Sequence, residues 1–141
     1  MSREEIKRIL VPLDGSTSSE KGLSKATYIA KLTDAEITGL TVVVIYPTLA
    51  SAVVNYKKYL TEKSEKMLNS AKQNCEKQGI KFTSKILYGK PSTKITEFAQ
   101  KEKFDIIIIG SRGLSGLKRT MVGSIASATV QKSKIPVLVV K

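Results

Sequence analysis

Four of the nine glycines in this chain fall in one short stretch, Gly110-Ser111-Arg112-Gly113-Leu114-Ser115-Gly116-Leu117-Lys118-Arg119-Thr120-Met121-Val122-Gly123-Ser124. Glycines at such spacing suit anion binding. Gly110 closes an apolar run, where a missing side chain lets a ligand lie against the backbone. Gly113 and Gly116 can take positive φ and turn successive N–H groups toward a common anion. Gly123-Ser124 then opens a helix whose first amides lack intrahelical partners and whose dipole end is positive, a place for phosphate. Ser124 can cap that helix or donate its hydroxyl to a phosphate oxygen. The alternative is a loop whose glycines serve only tight turns.

Other chemistries find no residues. The chain has no histidine, which excludes Ser-His-Asp and Cys-His catalysis and histidine zinc sites. Its one cysteine, Cys75, can form neither an internal disulfide nor a metal site by itself. The G-x-x-x-x-G-K-[ST] phosphate loop is absent, because Gly89-Lys90 is followed by Pro91 and preceded at the required spacing by Ser84. No G-x-G-x-x-G follows the first apolar run.

The formal net charge of +12 is unevenly placed. Residues 1–56 carry six basic and six acidic groups, whereas 57–90 carry nine against three and 91–141 repeat that count. No acid follows Asp105, while Arg112, Lys118, Arg119, Lys132, Lys134 and Lys141 do. An anion meets no repelling carboxylate from that segment. A solvated lysine-rich surface is the plainer reading of the remaining surplus.

These groups need a scaffold, and the apolar pattern describes one. Ile6 to Val11 reads as a buried strand ended by Pro12. Asp14-Gly15-Ser16-Thr17 turns into a helix from about Ser18 to Leu32, with Leu23, Ala26 and Ala30 on one face. Ile37 to Tyr46 is a second strand, rich in β-branched residues. A helix of undefined start runs to about Lys77 with the stripe Leu60, Ser64, Met67, Leu68, Ala71 and Cys75, and Gly79 stops it. Lys81 to Tyr88 is a third strand. Gly89 to Ser92 turns into a helix with Ile95, Phe98 and Ala99 inward. Asp105 to Ile109 is a fourth strand, apolar on both faces. A helix from Ser124 to Gln131 and a strand from Pro136 to Val140 complete the chain.

Strand and helix alternate throughout. This predicts one α/β domain over residues 1–141: a doubly wound, five-stranded parallel sheet with helices on both faces. In such sheets ligands bind beyond the C-terminal strand ends, where strand order reverses. Gly15, Gly89 and Gly110 all fall just past such ends.

The spacing Gly110-x2-Gly113-x9-Gly123-Ser124 resembles the G-x2-G-x9-G-[ST] signature of ATP-binding members of the universal stress protein family. Ile9-Leu10-Val11-Pro12-Leu13-Asp14-Gly15-Ser16 is similar to that family's opening strand and turn, and Ile135 to Val140 to its closing strand. The resemblance covers nearly the whole chain, with only residues 47–60 unplaced. It implies a strand order of 3-2-1-4-5 with ATP, accompanied by Mg²⁺ or Mn²⁺, across the edge between the first and fourth strands. Pro12, Asp14 and the backbone near Val42 would line the adenine and ribose end. Gly110, Ser111, Arg112, Gly113, Leu114, Ser115 and Gly116 would wrap ribose and phosphates, and Gly123, Ser124 and Ile125 would hold the phosphate tail. The plainer role for Asp14, the one carboxylate of this set, is a turn cap on Ser16 or Thr17.

The resulting expectation is a nucleotide-binding regulatory protein of the stress response, acting through conformation or an unidentified partner protein. A phosphoryl-transferring enzyme would need metal ligands and a group orienting the nucleophile, and Asp14 alone answers to the former. A nucleic-acid partner is not expected, because the surplus lysines lack interleaved aromatics that would stack bases. The last strand, Val137 to Val140, is short, apolar and at a sheet edge, so a homodimer through it is expected; the resemblance implies the same. With a mixed-charge start from Met1 to Arg8 and no long apolar run, a cytoplasmic location and no membrane partner are expected.

Overall fold

The computed structural model describes residues 5–44, 50–113 and 122–141, with the side chains of 50–54 left aside. Within them run β1 (Arg8–Pro12), α1 (Thr17–Thr33), β2 (Glu36–Val43), α2 (Ala50–Lys77), β3 (Phe82–Tyr88), α3 (Pro91–Lys101), β4 (Ile106–Gly110), α4 (Ser124–Lys132) and β5 (Val137–Val140). The five strands form one sheet in the order β3-β2-β1-β4-β5, every pairing parallel. The chain fills one side of β1, then crosses to the other, so strand order reverses between β1 and β4.

Alternation along the strands builds two cores. Ile9, Val11, Ile37, Phe82 and Ile108 face α1 and α2, meeting Leu23, Ala26, Ala30, Leu68, Ala71 and Cys75. Leu10, Leu40, Ile107 and Ile109 face Ile95, Ala99, Phe104 and Ala126 on the side of α3 and α4. Consecutive isoleucines of β4 thus serve opposite cores, which is why that strand is apolar on both faces.

Several strand ends are shorter than the apolar runs that announce them. β1 begins at Arg8 rather than Ile6, because Asp105 Oδ2 accepts from the amides of Lys7 and Arg8 at 2.9 and 2.8 Å. The carboxylate takes the place of a strand partner there. β2 stops at Val43, whose carbonyl accepts from Gly89 N–H at 3.0 Å, just where β3 turns away. Residues 45 and 46, assigned to the strand by sequence, lie outside the described residues. β5 starts at Val137, since Pro136 has no N–H and contributes only its carbonyl, to Ile107.

Helix ends follow local chemistry. Ser16 caps α1, its Oγ accepting from Ser19 N–H at 3.1 Å. Gly79 takes φ +76° after α2, and Ile80 N–H donates back to Cys75 O at 2.9 Å. Pro91 opens α3 at a position where its missing N–H has no intrahelical partner to lose.

The tightest packing joins α1 to β4. A Cβ on Gly110 would collide with the Ser18 carbonyl oxygen and lie 2.7 Å from Ser18 Oγ. One on Gly22, a turn further along α1, would sit 3.2 Å from Gly110 N. Gly110 is therefore a packing requirement of the helix above it.

Gly110→Ala is expected to destabilise the fold by about 2–3 kcal/mol, as overpacking against backbone does, read by urea denaturation. Cys75 gives a second expectation. Burial is the main cause, and neighbouring Glu76 a smaller one, that raises its thiol pKa from 9.0 to about 11. The folded state holds that proton more tightly, so the stability it contributes is present below pH ~9 and is lost as pH rises toward 11. Denaturation midpoints of the parent and of Cys75→Ala should converge across that window, and thiol reagents should label Cys75 only on unfolding.

Candidate functional site

At the reversal point the loops after β1 and β4 border a cleft of ≈ 320 Å³, within the size range of small-molecule sites. Pro12 and Asp14 line it from β1, Val42 from β2, Gly110, Ser111, Arg112 and Gly113 from β4, and Gly123, Ser124 and Ile125 from the start of α4. Ten of the residues assigned by sequence thus meet around one cavity. Leu114, Ser115 and Gly116 lie outside the described residues.

Its two ends differ in chemistry. The apolar end is built from Leu40, Val42 and Val44 of the β2 edge with Pro12, Pro91 and Ile95. Leu40, Val44, Pro91 and Ile95 were not legible as site residues, because their places depend on how α3 packs beside β2. The signal available was position alone, since Val44 and Pro91 follow C-terminal strand ends. Ser19 and Ala126 also reach the cleft from the first turns of their helices.

The polar end is a set of donors. Gly123 is the N-cap of α4, at φ −67° and ψ 164°, and no side chain caps the helix. Ser124 is therefore the first helical residue and not the cap expected of it. The first intrahelical bond runs from Ser127 N–H to Gly123 O, so the amides of Ser124, Ile125 and Ala126 have no helical acceptor. The start of α1 is otherwise: Ser16 caps it and Ser18 and Ser19 are buried. Of the helix starts beside the cleft, that of α1 has a side-chain cap, whereas those of α3 and α4 have none.

Ser111 joins these amides. Its backbone is held twice, N–H to Val140 O at 2.9 Å and O from Gly123 N–H at 2.6 Å. Its side chain is 1% exposed, and among the described residues Oγ has no hydrogen-bond partner. Arg112 is tied by its amide to Ser18 Oγ at 3.0 Å, and its Nε is likewise buried without a partner among the described residues.

Two assignments change with the geometry. Gly113 has no positive φ; among the described glycines that conformation belongs to Gly15, Gly79 and Gly89. What a side chain at Gly113 would meet is Asp14, whose Oδ2 lies 2.9 Å from where a Cβ would stand and would have to shift. Asp14 in turn has the local role of a turn cap, Oδ1 accepting from Ser16 N–H at 2.9 Å. Gly110 faces α1, so its lack of a side chain answers to Ser18 and not to a ligand.

Among the described residues no three His, Cys, Asp or Glu side chains gather as a metal site, and no helix is long and apolar enough to cross a membrane. Among the described residues Asp14 is the one carboxylate lining the cleft. A divalent ion there would be held chiefly by the phosphates of a nucleotide and by water.

Known proteins share this architecture and much of the sequence. The chain is 35% identical over 139 residues to the universal stress protein MJ0531 of Methanocaldococcus jannaschii, covering 96% of this chain and 82% of that one. It superimposes on the structure of MJ0577 with a TM-score of 0.84 at 33% identity, over 96% of this chain and 95% of the other. The universal stress protein UspA from Lactobacillus plantarum has the same fold, with a TM-score of 0.90 at 24% identity over 97% and 99% of the two chains. Two more distant structures of this fold contain nucleotides: an Arabidopsis thaliana protein with AMP bound, at 19% identity and a TM-score of 0.74 over 96% and 91% of the chains, and an Archaeoglobus fulgidus protein in complex with dAMP, at 20% and 0.70 over 99% and 100%. The model of the universal stress protein family matches residues 5–141, and with that match the chain belongs to the universal stress protein family.

Proposed function

We propose that this protein is an ATP-binding regulator of the stress response, working through nucleotide-dependent conformation or contact with a partner protein rather than through rapid chemistry. The observation that carries the reading is the pairing, in one cleft, of an apolar slot with a cluster of unsatisfied donors. Leu40, Val42, Val44 and Ile95 suit the faces of a base, while Ser111 Oγ and the open amides of α4 suit phosphate oxygens. An ATP molecule would lie with its base toward β2 and its phosphates toward Gly123, Ser124 and Ile125. Asp14, beside Gly113, would accept from the ribose hydroxyls in this reading. Relatives of this fold that hold AMP and dAMP support a nucleotide here; ATP and its Mg²⁺ or Mn²⁺ belong to the proposal.

A homodimer is part of the same reading. β5 pairs with β4 on one side, and all four of its residues are partly exposed. Antiparallel or parallel addition of a second β5 would cover that edge.

ATP with Mg²⁺ should raise the melting temperature by mass action. Phosphate release should stay below about 0.01 per second, against a median enzyme near 10 per second. Gly113→Val, which drives a side chain into Asp14, and Gly123→Val, which crowds the helix start, should each weaken ATP binding at least about tenfold, or ~1.4 kcal/mol. Calorimetric titration of folded variants decides this. Parent-like affinity in both would remove ATP from the cleft, and turnover near one per second would make the protein an enzyme. Val139→Lys, checked for folding by circular dichroism, should convert a dimer to monomer in light scattering; a parent already monomeric at tens of micromolar would end the dimer proposal.

A further inference from the structure

At the apolar end of the cleft one carbonyl is held by a side chain where the sheet has a backbone donor to give. β1 and β2 pair in parallel, from Arg8 beside Glu36 to Pro12 beside Leu40. In such a ladder the residues whose N–H and C=O face a given neighbour recur with a period of two. Two bonds set that period here, Glu36 N–H to Lys7 O at 2.9 Å and Leu13 N–H to Leu40 O at 2.8 Å. The even-numbered residues of β2 therefore face β1. Its odd-numbered residues face β3, as in the bonds from Ile37 N–H to Lys81 O and from Gly89 N–H to Val43 O. One step further along β1, the series would take Val42 N–H to Leu13 O. Thr41 Oγ1 donates to that carbonyl instead, at 2.9 Å. Among the described residues Val42 N–H has no backbone acceptor, and Val42 O receives no backbone N–H from the chain leaving β1.

We propose that Thr41 is a positioning residue for the base of the bound nucleotide: its hydroxyl holds the chain leaving β1 and so keeps the peptide groups of Val42 open to the ligand. This rests on the reading of the cleft as a nucleotide site. β1 ends at Pro12, opposite Leu40, so it supplies no strand residue beside Val42. The cleft occupies that side, and Leu13 and Val42 both line it. Val42 thus presents one donor and one acceptor, side by side, at the end whose side chains are apolar. The Leu13 carbonyl did not need a hydroxyl, because the ladder bond from Val42 N–H was within the register. Thr41, itself buried, displaces that bond at the last step before the cleft.

The edge of adenine answers to this pair. Its N1 accepts and its amino group donates, so Val42 N–H and C=O can hold both at once. Guanine in the same pose offers a donor at N1 and an acceptor beside it, the reverse order. The apolar wall cannot make that choice, because Leu40, Val42, Val44, Pro91 and Ile95 have no hydrogen-bonding group in their side chains. A site that hydrogen-bonds a ligand rejects an analogue lacking the partner group far better than an apolar wall does. Loss of the Thr41 hydroxyl would leave Leu13 O without its donor, and Val42 N–H would close onto it as the next bond of the ladder. The donor would then be withdrawn from the cleft while the lining side chains stayed the same.

Two measurements on the full chain test this. The first is amide hydrogen exchange, read by NMR without nucleotide. Val42 N–H should exchange at least about tenfold faster than Leu40 N–H, and Thr41→Val should slow Val42 N–H about tenfold or more. Thr41→Ser, which keeps the hydroxyl, should exchange like the parent. The second is calorimetric titration with ATP and with an ATP analogue carrying carbon in place of N1. The parent should bind the analogue about tenfold more weakly than ATP. Thr41→Val should bind ATP about tenfold more weakly than the parent does and no longer distinguish the two ligands; Thr41→Ser should restore the preference. A threonine that only stabilised the strand would shift both ligands equally. Thr41→Ala replaces Thr41→Val in both measurements if circular dichroism shows the valine variant unfolded. A protected Val42 amide in the nucleotide-free parent, equal affinity of the parent for the two ligands, or an unchanged preference in the variant without the hydroxyl would each overturn the proposal and leave the cleft a nucleotide site. A parent that binds no ATP would end both.

Discussion

The contact between the first turn of α1 and the end of β4 sets the geometry on which the cleft depends. Ser18 and Gly22 press on Gly110 so closely that no side chain fits there, and Ser18 Oγ then takes the amide of Arg112. This one contact fixes the chain leaving β4 against the chain leaving β1. Asp14 and Gly113, from those two exits, are brought within van der Waals reach as a result. The β1 exit is itself held by the cap at Ser16 and by Asp14 Oδ1 on the Ser16 amide. Both walls of the cleft are therefore attached to the same helix start, and a shift of α1 would move them together.

The sheet below makes that attachment rigid. β1 lies between β2 and β4, its core side chains Ile9, Leu10 and Val11 inaccessible to solvent. Interiors packed to this density transmit displacement rather than absorb it. Asp105 binds the opposite end of the same strand pair, accepting from Lys7 and Arg8. With β1 and β4 held at both ends, the cleft is an opening in a stiff frame.

Much of this frame was legible in the sequence, for a physical reason. Strand and helix periodicities are local, so the alternation of Ile9, Leu10 and Val11 and the stripe from Leu60 to Cys75 report their elements directly, and parallel order follows from the alternation. The gathering of Pro12, Asp14, Ser111 and Gly123 was legible because each ends or begins an element at the same edge. What was not legible depends on neighbours distant in sequence. The reason for a glycine at 110 lies 92 positions away, at Ser18. The reason at 113 lies in Asp14 rather than in backbone sign. Strand ends slipped by a residue or two wherever a side chain, as at Asp105, or a proline replaced the ladder bond.

The helix starts beside the cleft differ in how they are capped. A serine N-cap is worth about 1 kcal/mol over an uncapped start, and α1 has one in Ser16. α4 has Gly123 instead, and the exposed Ser124 follows it as the first helical residue. A buried hydroxyl without a partner costs about 1–3 kcal/mol, and among the described residues Ser111 Oγ has none. Glycine at 123 costs little against serine, but it leaves the first amides of α4 without a side-chain acceptor beside the cavity that Ser111 also borders. That placement is the physical ground of the proposed phosphate-bearing ligand.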